Sequence, residues 1–328
     1  MSDVLFVLGM HRSGTSTVAG VLSKIGAATP RTLMPSSPDN PRGYFESIPV
    51  MHFNDEILAS AGSSWKDWRA FNPDWAASPV GLDFRRRARE VLKEEFGEAP
   101  LWVFKDPRMC RTAPFWFDVL GDIGARPHVV LPFRSPLDIA RSLQPIHGLS
   151  ITHGLLLWLR HVLDAERDSR SLRRSIFSWR DFRADWRSVC ERAGEQLEMR
   201  WPRLSDRAGA EVERFLSRKF VHYETDDQAL SRHADVNAWT LRSYEALREL
   251  ARNPHSNSAM AELDNVRQLF DQASAVFGRL LAEQDLQLED ARATQTAANA
   301  ERDGAEASRQ EALAEKAVAL AQLMARAE

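Results

Sequence analysis

Only two cysteines, Cys110 and Cys190, occur in 328 residues. They cannot make a disulfide framework, and neither has a partner at metal-ligand spacing, so a reducing compartment is expected. Also missing are a charged leader followed by an apolar stretch and any run approaching the roughly 18 apolar residues that a bilayer span needs. The expectation is a cytoplasmic protein, bacterial in style, with no membrane span. Charge of one sign is not in excess: 43 basic residues stand against 46 acidic ones, a formal net charge of −3. No global field therefore draws the chain to nucleic acid or to anionic membranes. Arginines do cluster locally, at Arg85–Arg87 and from Arg160 to Arg187. Such runs usually form solvated helix faces, and a basic rim would also suit an anionic ligand. With 44% hydrophobic residues and ten tryptophans, the chain can bury a substantial core and is not a disordered one.

The most informative segment also lacks something. Gly9-Met10-His11-Arg12-Ser13-Gly14-Thr15-Ser16 follows the apolar run Val4–Leu8 and has the spacing of a phosphate-binding loop, but Thr15 stands where the lysine belongs. The basic residue lies inside the loop, as Arg12. A buried strand that breaks at glycine and opens a helix aims backbone N–H groups and the positive end of the helix dipole at one point, so an anion belongs there. Thr15 and Ser16 offer hydroxyls to phosphate oxygens. Without the lysine, ordinary ATP or GTP hydrolysis is disfavoured. The helix repeats Val18, Leu22 and Ile25 and stops at Gly26.

A second element comes at Val129–Ser142, where an apolar strand ends at Arg134, Ser135-Pro136 starts a helix, and Ser142 lies two turns in. Arginine and serine then converge on one phosphate. With these two motifs the chain resembles the sulfotransferases that use 3′-phosphoadenosine 5′-phosphosulfate (PAPS). Arg12-Ser13-Gly14-Thr15-Ser16 matches the family's 5′-phosphosulfate loop, and Arg134 with Ser142 matches its 3′-phosphate motif. Phe104-Lys105-Asp106-Pro107-Arg108 looks like the Lys-x-Pro segment of glycan-type and many bacterial members. The resemblance covers about residues 1–225. It departs from the cytosolic phenol and steroid enzymes in having no Arg-Lys-Gly-rich segment near the C-terminus. It implies PAPS as donor, no metal, and a hydroxyl-bearing acceptor, by analogy a saccharide or glycolipid.

Sulfuryl transfer needs fixed cations where negative charge grows, and Arg12 and Lys105 are the candidates. His11, Arg12, Ser13, Gly14, Thr15, Ser16, Arg134 and Ser142 are the candidate nucleotide contacts. The acceptor hydroxyl needs a base. In glycan-type members a glutamate at about this place after the first helix takes that role, and Gly43-Tyr44-Phe45-Glu46 looks similar. Glu46 is therefore our choice, with His52, His11 and Asp106 in reserve. The competing reading of Glu46 is a residue that starts the helix through Met51, Asn54 and Leu58. Asp106 equally reads as a partner of Arg108 or Lys105. Phe115-Trp116-Phe117 reads as a helix packed on the sheet, with an acceptor-lining role open for Trp116.

Strands alternating with helices predict an α/β fold, a P-loop-type doubly wound parallel sheet flanked by helices, with the site at the strands' carboxyl ends. We assign residues 1–225 to that domain, 226–284 to a helical part packing on it, and 285–328 to a C-terminal helix or coiled coil. That last stretch has no aromatic residue and no proline, and alanine recurs every seven residues from 293 to 321. Its expected role is oligomerisation or connection to a fused module, and its uncapped end suggests a longer natural protein. The segment Arg214–His222 is open as a late contact to nucleotide or acceptor. Two other readings compete: a P-loop kinase or hydrolase, in which Asp106 would have to hold magnesium, and a catalytically inactive nucleotide-binding scaffold.

Overall fold

The structure, a computed structural model, describes residues 2–38, 40–216 and 227–327. Among these, four parallel strands form one sheet in the order β2-β1-β3-β4: β1 (Asp3–Val7), β2 (Leu101–Lys105), β3 (Arg126–Phe133) and β4 (Arg174–Ser178). Between β1 and β2 run α1 (Thr15–Lys24), α2 (Ile48–Ser60) and α3 (Pro79–Phe96). A 3-10 turn, Pro107–Cys110, and α4 (Ala113–Asp122) follow β2, while α5 (Pro136–His147) and α6 (Ile151–Asp168) join β3 to β4. The rest is helical: α7 (Trp179–Ala184), α8 (Trp186–Gln196), α9 (Asp206–Phe215), α10 (Asp227–Arg232), α11 (Ala238–Arg252) and α12 (Asn257–Ala327).

The strands read as continuous apolar runs because both faces of a parallel sheet are covered. Side chains alternate between two cores. Val4, Phe6, Trp102, Phe104, Val129 and Leu131 face one, with α2 to α6 and α11; Leu5, Val7, Val103, Val130 and Phe177 face the other, with α1 and α8. This is the doubly wound α/β arrangement that the alternating pattern predicts. Two boundaries differ from the sequence reading. β3 begins at Arg126 rather than Val129, since its first residues pair with Asp3 and Val4. Ser175–Trp179, whose pattern predicts a short strand, closes as β4 at Ser178, because Ser178 caps α7 by accepting from the Asp181 N–H.

Where α5 and α6 cross, Gly154 lets the backbones approach: a Cβ there would lie 2.8 Å from Ala140 Cα. Deeper in that layer sits a buried charge cluster with no counterpart in the sequence pattern. Asp164 is met by Arg111 (3.2 Å), Arg160 (3.4 Å) and Arg267 (2.9 Å). Burial works against its charge, but Arg160, Arg111 and Arg267 prevail and hold its carboxyl below the usual range. Two of these arginines also fasten a loop: Arg111 donates to the carbonyls of Asp67 and Arg69, and Arg160 to that of Trp68. The Arg85–Arg87 run lies on the exposed side of α3, where Arg85 pairs with Asp122 and Arg87 with Glu56.

Residues 1–271 form one compact unit and 272–328 a second, helical through its described residues. Among the described residues no helix is long and apolar enough to cross a membrane.

Removing one partner from a buried charge cluster leaves the others uncompensated. Asp164→Ala is therefore expected to cost about 3–5 kcal/mol, read by urea denaturation; a loss within about 0.5 kcal/mol would show that the arginines do not depend on it.

Candidate active site

β1 and β3 are neighbours whose onward connections leave in opposite directions, one toward β2 and the other toward β4. Ligands of α/β sheets collect in the crevice that such a reversal opens at the strands' carboxyl ends. The Gly9–Ser16 loop leaves β1 there and Arg134 leaves β3. A cleft of about 600 Å³ occupies the crevice, lined by His11, Arg12, Gly14, Thr15, Ser16, Glu46, Lys105, Arg134 and Ser142. Ser13 stands apart from the other candidate contacts. It is buried, and both its hydroxyl and its N–H donate to the Met10 carbonyl, at 2.6 Å and 3.1 Å, so it shapes the loop.

The loop winds through two left-handed residues, Arg12 (φ 69°) and Gly14 (φ 93°). At position 14 only glycine fits, since a Cβ would lie 2.3 Å from Trp179 Cε3. Gly14 is the N-cap of α1 and supplies no side-chain bond to it. By contrast α2, α3 and α6 are closed by Ser47, Ser78 and Ser150. α5 likewise lacks a side-chain cap bond, and its N-cap hydroxyl, Ser135 Oγ, is buried without a hydrogen-bond partner. The two helices that carry the phosphate motifs thus have no side-chain acceptor on their first turns, and in α5 the first residue, Pro136, has no N–H to satisfy.

Hydrogen bonds turn the cleft's hydroxyls into donors. Ser16 Oγ accepts from Lys105 Nζ (3.1 Å) and Asn40 Nδ2 (3.4 Å), which occupies both its lone pairs and leaves its O–H to give. Ser142 Oγ accepts from Arg12 Nε at 2.9 Å. Arg134 donates to the Arg12 carbonyl (3.4 Å) and pairs with Asp138 (3.3 Å). Arg12, Arg134 and Ser142 are therefore one connected group, although 130 residues separate the first from the last.

Lys105 and Glu46 are joined by a buried ion pair. The ammonium also donates to Ser16 Oγ and to the Tyr44 carbonyl, so its three protons meet three acceptors. Burial raises the Glu46 pKa above the usual carboxylate range; Lys105 opposes this without cancelling it. Glu46 does not cap α2, a task that falls to Ser47, whose Oγ accepts from the Val50 N–H at 3.1 Å. His11 is driven the other way: burial first, then the charge of Arg108, lowers its pKa well below the ordinary histidine value.

Two of the three reserves stand apart from the cleft, while His11 lines it. His52 is exposed on α2 and is not among the cleft-lining residues. Asp106 is buried and accepts from the Arg108 N–H (2.8 Å) and guanidinium (3.2 Å), as its neighbourly reading predicts. Arg108 bridges on to Asp55 at 2.6 Å. Trp116 lies wholly inside the core and donates to Asn54 Oδ1 at 2.8 Å, so the acceptor-lining role left open for it is withdrawn. The aromatic wall is made instead by Trp65, packed against His11 with ring centroids 4.5 Å apart, and by Trp179. The sequence pattern singled out neither: Trp179 comes to the cleft because β4 ends at Ser178, and Trp65 because its loop is fastened over His11. Of the Arg214–His222 segment, residues 217–222 lie outside the described residues, and Phe215 packs on Phe45 at 5.9 Å.

Among solved structures, the chain is similar to the sulfotransferase domain of the Synechococcus PCC 7002 olefin synthase, with a TM-score of 0.41, 14% identity, and 82% of this chain and 94% of that one covered. It is similar to sulfotransferase STF9 from Mycobacterium avium, with a TM-score of 0.43, 16% identity and 76% of each chain covered. A third is the sulfotransferase domain of the curacin biosynthetic pathway, with a TM-score of 0.37, 13% identity, and 82% and 97% covered. All three are sulfotransferases. No protein-family model and no curated protein matches the sequence.

The Lys105–Glu46 pair is expected to behave as one unit. Lys105→Met leaves a buried carboxylate without its cation and costs about 3–5 kcal/mol. Adding Glu46→Gln recovers part of that loss, so a double-mutant cycle by urea denaturation reads strong coupling; additive effects would mean that the two do not share a buried bond.

Proposed function

We propose that this chain transfers a sulfuryl group from PAPS to a hydroxyl of an acceptor, a saccharide or glycolipid. The observation that carries the reading is the meeting, in one cleft, of an uncapped loop-and-helix anion site with the Arg12–Ser142–Arg134 group and the buried Glu46–Lys105 pair. The residues fit a nucleotide with two separate anionic ends. Loop N–H groups with Thr15 and Ser16 suit the 5′-phosphosulfate, and Arg134 with Ser142 suits the 3′-phosphate. The donor, when bound, supplies the sulfur electrophile and a stable bisphosphate leaving group.

In this reading Glu46 takes the acceptor's proton as that oxygen bonds sulfur and the bond from sulfur to the 5′-phosphate oxygen opens. Lys105 and Arg12 hold the negative charge that grows on the departing oxygen. Glu46 suits the base better than His11, since its proton affinity is raised toward the working range while that of His11 is lowered. A magnesium-dependent kinase is less well supported: Asp106 is committed to Arg108, and Thr15 replaces the phosphate-binding lysine. Residues 285–328 serve self-association or a fused module in the same reading.

Calorimetry without metal is expected to show adenosine 3′,5′-bisphosphate binding more tightly than ADP, and than ATP with magnesium. Arg134→Ala should weaken the bisphosphate by about 10–100-fold and ADP far less, the size of a lost charged hydrogen bond; equal losses would remove the 3′-phosphate role.

The Glu46 pKa also gives kcat/KM a direction with pH. A base must be deprotonated, so activity should fall as the pH drops through a value above the ordinary glutamate range. Glu46→Gln should keep nucleotide binding and lose turnover by roughly 100-fold or more. An active Glu46→Gln enzyme with the same acid limb would move the base elsewhere.

A further inference from the structure

Sheet order divides the floor of the cleft. Arg134 and Trp179 directly follow β3 and β4, whereas Lys105 ends β2, on the far side of β1. Arg12 and Ser142 belong with the first group and Glu46 with the second. An acceptor whose proton goes to Glu46 therefore lies toward β2, and the side chains gathered there are of one kind. Met34 stands beside the ion pair, its N–H donating to the Glu46 carbonyl at 2.8 Å. Pro38 and Pro41, from the loop before Glu46, line the cleft with it. Trp65 packs on His11, and the last turn of α5 comes up to it: His147 meets the Trp65 ring at 4.9 Å, and Pro145 and Ile146 line the same cleft.

These groups are open to the cleft, not sealed in the core: Pro38, Pro41, Pro145 and Ile146 are exposed, and Met34 and Trp65 half-buried. They have little to offer a polar ligand. Proline has no N–H, the side chains of Met34 and Ile146 carry no strong donor or acceptor, and Trp65 brings a single N–H. Several polar neighbours are engaged with the protein. Tyr44 Oη shares a hydrogen bond of 2.7 Å with Ser37 Oγ, Arg108 is held by Asp55 and Asp106, and Arg42 lies over the Phe215 ring at 5.6 Å. His11 lines the cleft and stays neutral, because burial and the charge of Arg108 oppose its protonation. Together with Glu46 it can satisfy one hydroxyl. Every further hydroxyl that leaves water here without a partner weakens binding.

We infer that the acceptor is a hydroxyl on an apolar body, with the reacting oxygen between Glu46 and His11 and the body against Met34, Trp65, Pro145 and Ile146. The oxygen bonds sulfur, its proton passes to Glu46, and the 5′-phosphate oxygen leaves with the electron pair of the broken bond. This acceptor class rests on the transfer reading and narrows it: a hydroxyl on the lipid part of a glycolipid fits, and one set among others on a bare saccharide does not.

Cyclohexylmethanol and methyl β-glucopyranoside test it, since each offers a primary hydroxyl on a ring of equal size and only the second surrounds it with others. The full chain, saturated with adenosine 3′,5′-bisphosphate, is titrated with each by calorimetry, and kcat/KM for transfer from PAPS is measured with each. Cyclohexylmethanol is expected to bind, and to be the better acceptor by at least about tenfold. Trp65→Ala should weaken its binding by at least about tenfold. Ile146→Ser, at a side chain 38% exposed, should weaken it by about threefold. Neither variant should change bisphosphate affinity, and should Trp65→Ala not fold, Ile146→Ser decides. Equal or better use of the glucoside, no binding of cyclohexylmethanol to the bisphosphate-bound chain, or unaffected variants would overturn this acceptor class and leave the transfer reading standing. If the bisphosphate itself does not bind, the transfer reading falls and this acceptor class with it.

Discussion

A buried ammonium ion is tolerated only when each of its protons finds an acceptor, because desolvating it otherwise costs several kcal/mol. Lys105 meets that condition with three groups from different parts of the chain: Ser16 at the start of α1, the Tyr44 carbonyl and the Glu46 carboxylate. The proline-rich loop before α2 is thereby drawn across the end of β2 and onto the phosphate-type loop. Two properties of the cleft follow. Ser16 is left with its proton as the group it can donate, and Glu46 is carried into the interior, where its proton affinity rises.

The same logic operates one layer away. Asp164 balances Arg111, Arg160 and Arg267, and the first two reach beyond it to consecutive carbonyls, those of Asp67, Trp68 and Arg69. His153 holds the Lys66 carbonyl next to them at 2.9 Å. The loop so fastened carries Trp65, whose ring lies against His11. Charge that would be costly if left unpaired is used here to hold irregular backbone, which has no ladder of its own to satisfy its carbonyls. The polar wall of the cleft and part of its aromatic wall are thus both set by buried cations.

The parallel sheet decides where these devices point. Strand order reverses between β1 and β3, so the helices that follow them diverge and leave a crevice at the carboxyl ends. α1 and α5 both begin there without a side-chain cap bond. β4 ends on the same side, which brings Trp179 over Gly14.

What could be read from the chain alone was whatever depends on near neighbours. The run Val4–Leu8 with its glycine break, the Ser-Pro start before Ile139, and the eight-residue step from Arg134 to Ser142 are local patterns, and strand, turn and helix follow local dihedral preferences. So the α/β order of elements was legible, as was the common place of Arg12, Lys105, Arg134 and Ser142 at one end of a sheet. Partners chosen across the fold were not. Nothing in the spacing joins Arg111 and Arg267 to Asp164 or sets Trp65 on His11; Trp116 was open to the cleft by its sequence and lies in the core. Sequence periodicity states which face of a helix is apolar. It does not state which neighbour that face meets, and burial, ion pairing and the resulting shifts in proton affinity depend on those meetings, so tertiary packing decided them.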